Sequence, residues 1–124
     1  MIHLTIPGEL CDLNTYITAE RAHKNKAAKI KENETHRCAM EARVARIIEV
    51  PEEMYPVRVH FTWYTKDKRK DVDNVVFAKK FILDGLVDAF ILENDSRKYV
   101  AMVQDQAVLV DKKNPRVEVT ILPS

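Results

Sequence analysis

Cysteine is scarce in this chain of 124 residues: Cys11 and Cys38 are the two present. Their wide separation fits neither a CxxC redox pair nor a zinc-ligand pattern, so both are expected to be reduced packing residues. Histidine does not fill the gap. His3, His23, His36 and His60 form no HxH or HExxH spacing, and a histidine-based zinc site is not expected. No apolar run approaches the ~20 residues of a membrane span, so no membrane partner is expected. The opening MIHLTIPGEL lacks a cationic leader and an apolar h-region, which makes the cytoplasm the expected location. Repeats and low-complexity segments are absent as well. Charge of one sign is not in excess either: the net value of +1 neither demands nor excludes nucleic acid.

What is present suits a soluble globular protein, with 46% hydrophobic and 31% charged residues. At this length one domain over residues 1–124 is expected, large enough to bury roughly two thirds of its unfolded surface without cross-links. Ile2, Leu4 and Ile6 alternate with His3 and Thr5 up to Pro7-Gly8, which reads as a short strand and a turn. Asn14-Thr15 is a plausible cap for a Gly-free and Pro-free helical run to about Glu49. Its polar middle around Lys31 to Glu34 leaves one long helix or two consecutive helices open. VRVHFTWY then alternates strictly, with Val57, Val59, Phe61 and Trp63 on one face. Residues 74 to about 90 carry apolar side chains at near-helical spacing, with Asn74 as a cap and Gly85 as a local weakness. YVAMV, QAVLV and RVEVTI follow as strands, the last of them in a terminal hairpin. The expected fold class is α+β: a single domain with a mixed β-sheet, a long N-terminal helix and a second helix after the aspartate pair.

That pair lies in KRKDVDN, residues 68 to 74. Asp71 and Asp73 follow four cations, Lys66, Lys68, Arg69 and Lys70. If the segment stays extended, both carboxylates point to one side, because side chains alternate with period two. Carboxylate oxygens without histidine or thiolate suit Mg²⁺ or Mn²⁺, held by one or two carboxylates with water and substrate phosphate. The nearby cations would then face the phosphate. The bland reading is a turn and helix cap, which Asp-x-Asp-Asn also makes well. A regular helix from Asn74 would return Lys80 to the aspartate face after about two turns, whereas Lys79 would point roughly 120° away. Asp95, in the ENDS loop beyond that helix, could supply a third acid.

DVDN, KKFILDGL and ENDS together resemble the active-site region of the RusA family of Holliday junction resolvases. The basic helix after LNTYI and the ending DKKNPRVEV are also similar to the family, its phage-borne branch in particular, so the resemblance spans most of the chain. The chain is about three residues longer between Asn74 and Lys80 than the shorter members. A lysine four or seven residues along a helix lies on the same face. The resemblance implies a Mg²⁺-dependent endonuclease, with Mn²⁺ able to substitute, in which Asp71, Asp73 and Asp95 are metal ligands and Lys80 is catalytic. It implies branched DNA, the four-way junction, as substrate, and a homodimer that makes paired cuts. Lys66, Lys68, Arg69 and Lys70, with Lys24, Lys26, Lys29 and Lys79, are the expected phosphate-binding cations. A catalytically silent branched-DNA-binding protein and a less selective branched-DNA nuclease are the alternatives.

Overall fold

The computed structural model describes residues 1–124. Strand β1 (Ile2–Pro7) leads into helices α1 (Leu13–Ala22) and α2 (Lys24–Val44), then strand β2 (Val57–Thr65), helices α3 (Val72–Val76) and α4 (Lys79–Asp88), and strands β3 (Val100–Val110) and β4 (Arg116–Pro123). The four strands form one mixed sheet in the order β1-β4-β2-β3. The architecture is the expected α+β domain around a mixed sheet.

Strand β2 holds the core because its alternation is strict. Val57, Val59, Phe61 and Trp63 are buried toward the helices, while Arg58, His60, Thr62 and Tyr64 face the other side. β4 matches it with Val117, Val119 and Ile121. The terminal hairpin does not form. β4 instead runs antiparallel between β1 and β2, where it covers a strand edge on either side, and β3 lies parallel to β2 at the sheet's margin. A parallel neighbour requires a crossover, which α3 and α4 provide. The segments YVAMV and QAVLV are one continuous strand, not two.

The long N-terminal helical run is two helices, and the break falls at His23 rather than at the polar stretch around Lys31. His23 is extended, its backbone N–H donates to the Ala19 carbonyl, and its Nδ1 accepts from the backbone of Asn25, so one residue closes α1 and opens α2. The α1 cap is Asp12, whose carboxylate accepts from the Thr15 backbone N–H at 2.7 Å, not Asn14.

The expected helix over 74–90 is also divided. α3 stops at Val76, and the chain tightens through Phe77 and Ala78, where backbone bonds run from Ala78 to Val75 and from Phe81 to Ala78. The physical reason lies across the interface with α1. Asn74 does not cap its own helix, since its side-chain oxygen accepts from the Asn14 backbone N–H at 2.9 Å. Phe77 packs on Tyr16 with ring centroids 5.3 Å apart.

Gly85 is required by packing. A Cβ there would lie 2.6 Å from the Cys38 Cβ and 3.0 Å from the Thr35 carbonyl oxygen on α2. The missing side chain lets α4 and α2 approach closely. Gly85→Ala is therefore expected to destabilise by about 1–3 kcal/mol through overpacking, despite alanine's better helix propensity. Denaturant unfolding checks this: a stabilised variant would contradict the close approach.

Candidate functional site

Thr65 ends β2 by donating its hydroxyl to the Asp67 carbonyl at 2.7 Å, and Asp67 in turn accepts from the Arg69 backbone N–H at 3.0 Å. These bonds shape the basic loop. Lys66, Lys68 and Arg69 project into solvent. Lys70 does not: its Nζ lies 3.2 Å from Glu9 and 3.1 Å from Asp12, tying the loop to the start of α1. Those two acids raise the Lys70 pKa against the opposing effect of burial, which is the largest single influence on it. Lys70 thus anchors the loop.

Asp71 is the extended residue at the head of α3, and Asp73 sits in its first turn. The alternation argument for the pair therefore does not apply, because only one of the two is in extended backbone. Both side chains are exposed, and neither carboxylate takes part in a hydrogen bond or ion pair within the chain. Asp71 lines an open groove of about 440 Å³ together with Lys68, Lys70, Val72 and the β3 residues Val108 to Val110.

The ENDS loop brings Asp95 onto Lys80 and not onto the aspartate pair. Lys80 Nζ donates to Asp95 at 2.8 Å and lies 3.0 Å from Asp84. The Asp95 hydrogen bond raises the Lys80 pKa, and the same bond holds the Asp95 carboxyl below the usual carboxylate range. Asp71, Asp73 and Asp95 are not gathered into one ligand set, as no three His, Cys, Asp or Glu side chains in the chain are placed to hold an ion together. Asp71 and Asp73 are exposed carboxylates without partners in the chain, the hard-oxygen donor type that Mg²⁺ or Mn²⁺ takes.

Lys79 points elsewhere. It forms an ion pair with Asp105 of β3, whose other oxygen accepts from the Trp63 indole N–H at 2.9 Å. Of the remaining expected DNA-binding residues, Lys24 and Lys26 are exposed near the start of α2, and Lys29 is loosely paired with Glu32 at 3.8 Å. The sequence reading missed Glu9, Asp12 and Asp105. Only Asp105 carried a visible signal, a lone acid inside the apolar run VAMVQDQAVLV. The cysteines are packing residues as expected: Cys38 is buried, with its thiol pushed up to about 12 by burial, and Cys11 is half-buried, pushed up to about 11 mainly for the same reason.

A small α+β domain that offers two unpaired carboxylates beside three solvent-facing cations is suited to handling phosphate esters. The comparison with protein families agrees with this class. The family described as Endodeoxyribonuclease RusA matches residues 8–122, and the chain belongs to that family of nucleases. No curated protein matches the chain. No helix is long and apolar enough to cross a membrane.

Proposed function

We propose that the protein is a Mg²⁺-dependent, structure-selective endodeoxyribonuclease that resolves four-way DNA junctions by paired phosphodiester hydrolysis, acting as a homodimer in DNA recombination and repair. One observation carries the reading: the free Asp71 and Asp73 carboxylates beside exposed Lys66, Lys68 and Arg69, in a chain matched to RusA endodeoxyribonucleases over residues 8–122. Asp71 and Asp73 would hold the ion, with Asp95 joining them once it leaves Lys80. The ion supplies charge neutralisation at the scissile phosphate and a more acidic bound water.

The chain's own groups do the rest. Lys66, Lys68 and Arg69 hold the DNA backbone at the loop, and the cations near the start of α2 extend the binding surface. Lys80, whose pKa is raised by Asp95 and then Asp84 in the free chain, would keep Asp84 beside it when Asp95 turns to the ion and would present its positive charge toward the charge that builds on phosphate. Two junction cuts related by symmetry call for two sites related by a two-fold axis, hence the homodimer.

Labelled four-way junction and matched linear duplex, each with Mg²⁺ or chelator, provide the test. Symmetric metal-dependent cuts in the junction alone support the proposal. Tight junction binding without cleavage would mean a silent DNA-binding protein, and comparable cutting of flaps and forks a less selective nuclease.

The loop makes a second expectation concrete. Lys66→Ala, Lys68→Ala and Arg69→Ala combined should weaken junction binding and flatten its salt dependence by about 0.9 in the log–log slope for each phosphate that is no longer neutralised. Lys70→Ala should instead lower stability, since Glu9 and Asp12 then face each other without a cation. Binding titrations over a salt series check the first effect and thermal melts the second.

A further inference from the structure

Helix α4 ends on a residue whose backbone suits glycine. The Ile91 N–H donates to the Leu86 carbonyl at 2.9 Å, and the Phe90 N–H donates to the Val87 carbonyl at 3.0 Å. That pair of bonds closes the helix with Phe90 in the left-handed region, at φ +61°. Glycine usually fills such a position, because a Cβ is strained there and a bulky side chain more so. Burial gives nothing back, since Phe90 is 81% exposed. The chain holds an aromatic ring in solvent on strained backbone, which points to a use outside its own core.

Helix α2 ends in the same way, with Arg46 left-handed at φ +54°. The two ends lie side by side: Arg43 Nη2 donates to the Asp88 carbonyl at 3.0 Å, and the Val50 N–H donates to the Ile91 carbonyl at 2.9 Å. This end of the molecule also carries Val44 and Ile48, which are 73% and 64% exposed. Apolar surface rimmed by polar groups marks a contact site.

The rim is acidic. Glu49, Glu52, Glu53, Asp88 and Glu93 are exposed, and none of them joins an ion pair. Tyr55 accepts from the Glu93 backbone N–H at 2.9 Å, and its pKa is raised by burial first, with the Glu93 and Glu49 charges adding to the effect. Three cations are nearby, Arg43, Arg46 and Lys98. Arg43 is engaged by the Asp88 carbonyl, and Lys98 lies over the Tyr99 ring. Two helix dipoles also place their negative ends here.

We propose that the adjoining ends of α2 and α4, centred on Phe90, form a docking surface for a protein partner that presents a short apolar segment flanked by lysine or arginine. The apolar segment covers Phe90, Val44 and Ile48, and its flanking cations meet the acidic rim and the helix C-termini. A nucleic-acid backbone does not suit that rim. The free cations Lys66, Lys68 and Arg69 lie past Thr65, at the other end of β2 from Glu52 and Glu53. One end of the molecule thus suits DNA and the other protein.

The probe is a labelled helix-forming peptide of leucine and lysine, compared with peptides in which glutamate replaces lysine or serine replaces leucine. Anisotropy titrations should show binding of the leucine–lysine peptide alone, with amide shift changes at residues 44–49 and 88–93. Phe90→Gly should weaken that binding by about tenfold or more. It should also raise the melting temperature by roughly 2–4 °C, since glycine relieves the left-handed strain. Weaker binding by a more stable protein is a combination that unfolding does not produce. Leu109→Ser, at an exposed apolar position of β3, should leave peptide binding unchanged.

Equal binding by Phe90→Gly, equal binding of the glutamate peptide, or shift changes confined to other residues would each overturn the docking surface. A lowered melting temperature for Phe90→Gly would do the same, by showing that the ring already packs within the chain. Two further measurements on Phe90→Gly identify other occupants. Conversion of a dimeric natural protein to a monomer would mean that a second copy covers the patch, and weaker junction binding in chelator would mean that DNA does; either result overturns the proposal.

Discussion

Asp73→Asn is expected to abolish junction cleavage, by on the order of 10²-fold or more, while junction binding is kept or tightens. The substitution changes one oxygen to an amide at nearly constant shape, so the first turn of α3 should persist. Asp73 is exposed and its side chain has no partner in the chain, which leaves little fold stability to lose. What disappears is one negative charge and one hard oxygen donor. Loss of the donor lowers affinity for Mg²⁺, and loss of the charge relieves repulsion toward the DNA phosphates. Activity and binding should therefore move in opposite directions, a combination that simple unfolding does not give. Cleavage kinetics over a Mg²⁺ series, beside gel-shift titrations in chelator, separate the two effects. Natural cleavage rates at all Mg²⁺ concentrations would remove Asp73 from the site.

The parts of the fold that follow from strict periodicity were legible in the sequence. VRVHFTWY could bury only one face, and β2 does so without exception from Val57 to Thr65. The mixed α+β arrangement followed from the order of elements. Pairing partners were harder, because alternation within RVEVTI fixes which face is buried but not which strand lies alongside. β4 pairs with β1, more than a hundred residues earlier in the chain, and with β2, instead of with its sequence neighbour β3. Helix breaks escaped for a related reason. The Phe77–Ala78 turn sits against α1 through contacts such as Asn14 with Asn74 and Tyr16 with Phe77 that leave no local mark in composition, whereas the His23 break is a local cap inside a run with no Gly or Pro to announce it.

At the site, residue types were more legible than their partners. Asp71 and Asp73 are exposed, as are Lys66, Lys68 and Arg69 just before them. Lys70 looks identical to its neighbours in sequence, yet Glu9 and Asp12 draw it inward from sixty residues away. Charge counted along the chain overstates the cations available to a phosphate whenever distant acids fold against them. The same effect governs Asp95, whose carboxylate is engaged by Lys80 instead of standing free beside the pair.

The adjacent lysines of α4 should therefore fail in different ways when removed. Register along one regular helix no longer distinguishes them, since α4 begins at Lys79 after a break. Their partners do. Lys80 sits between Asp84 and Asp95 at the mouth of the ENDS loop and is the more exposed of the two. Lys80→Ala should lower the cleavage rate by on the order of 10²-fold, as loss of a charge-stabilising group does, with little change in binding or melting temperature.

Lys79 is part-buried against Asp105, which also accepts from the Trp63 indole. Lys79→Ala leaves that carboxylate without its cation at the join between α4 and the edge strand. It should cost about 1–2 kcal/mol of stability, with cleavage by the folded fraction largely kept. Single-turnover cleavage and thermal melts on both variants provide the check. A larger catalytic loss at Lys79, with its stability intact, would reverse the assignment: Lys79 would be the group that meets the phosphate, and the Lys80 pairs would serve only to hold the loop.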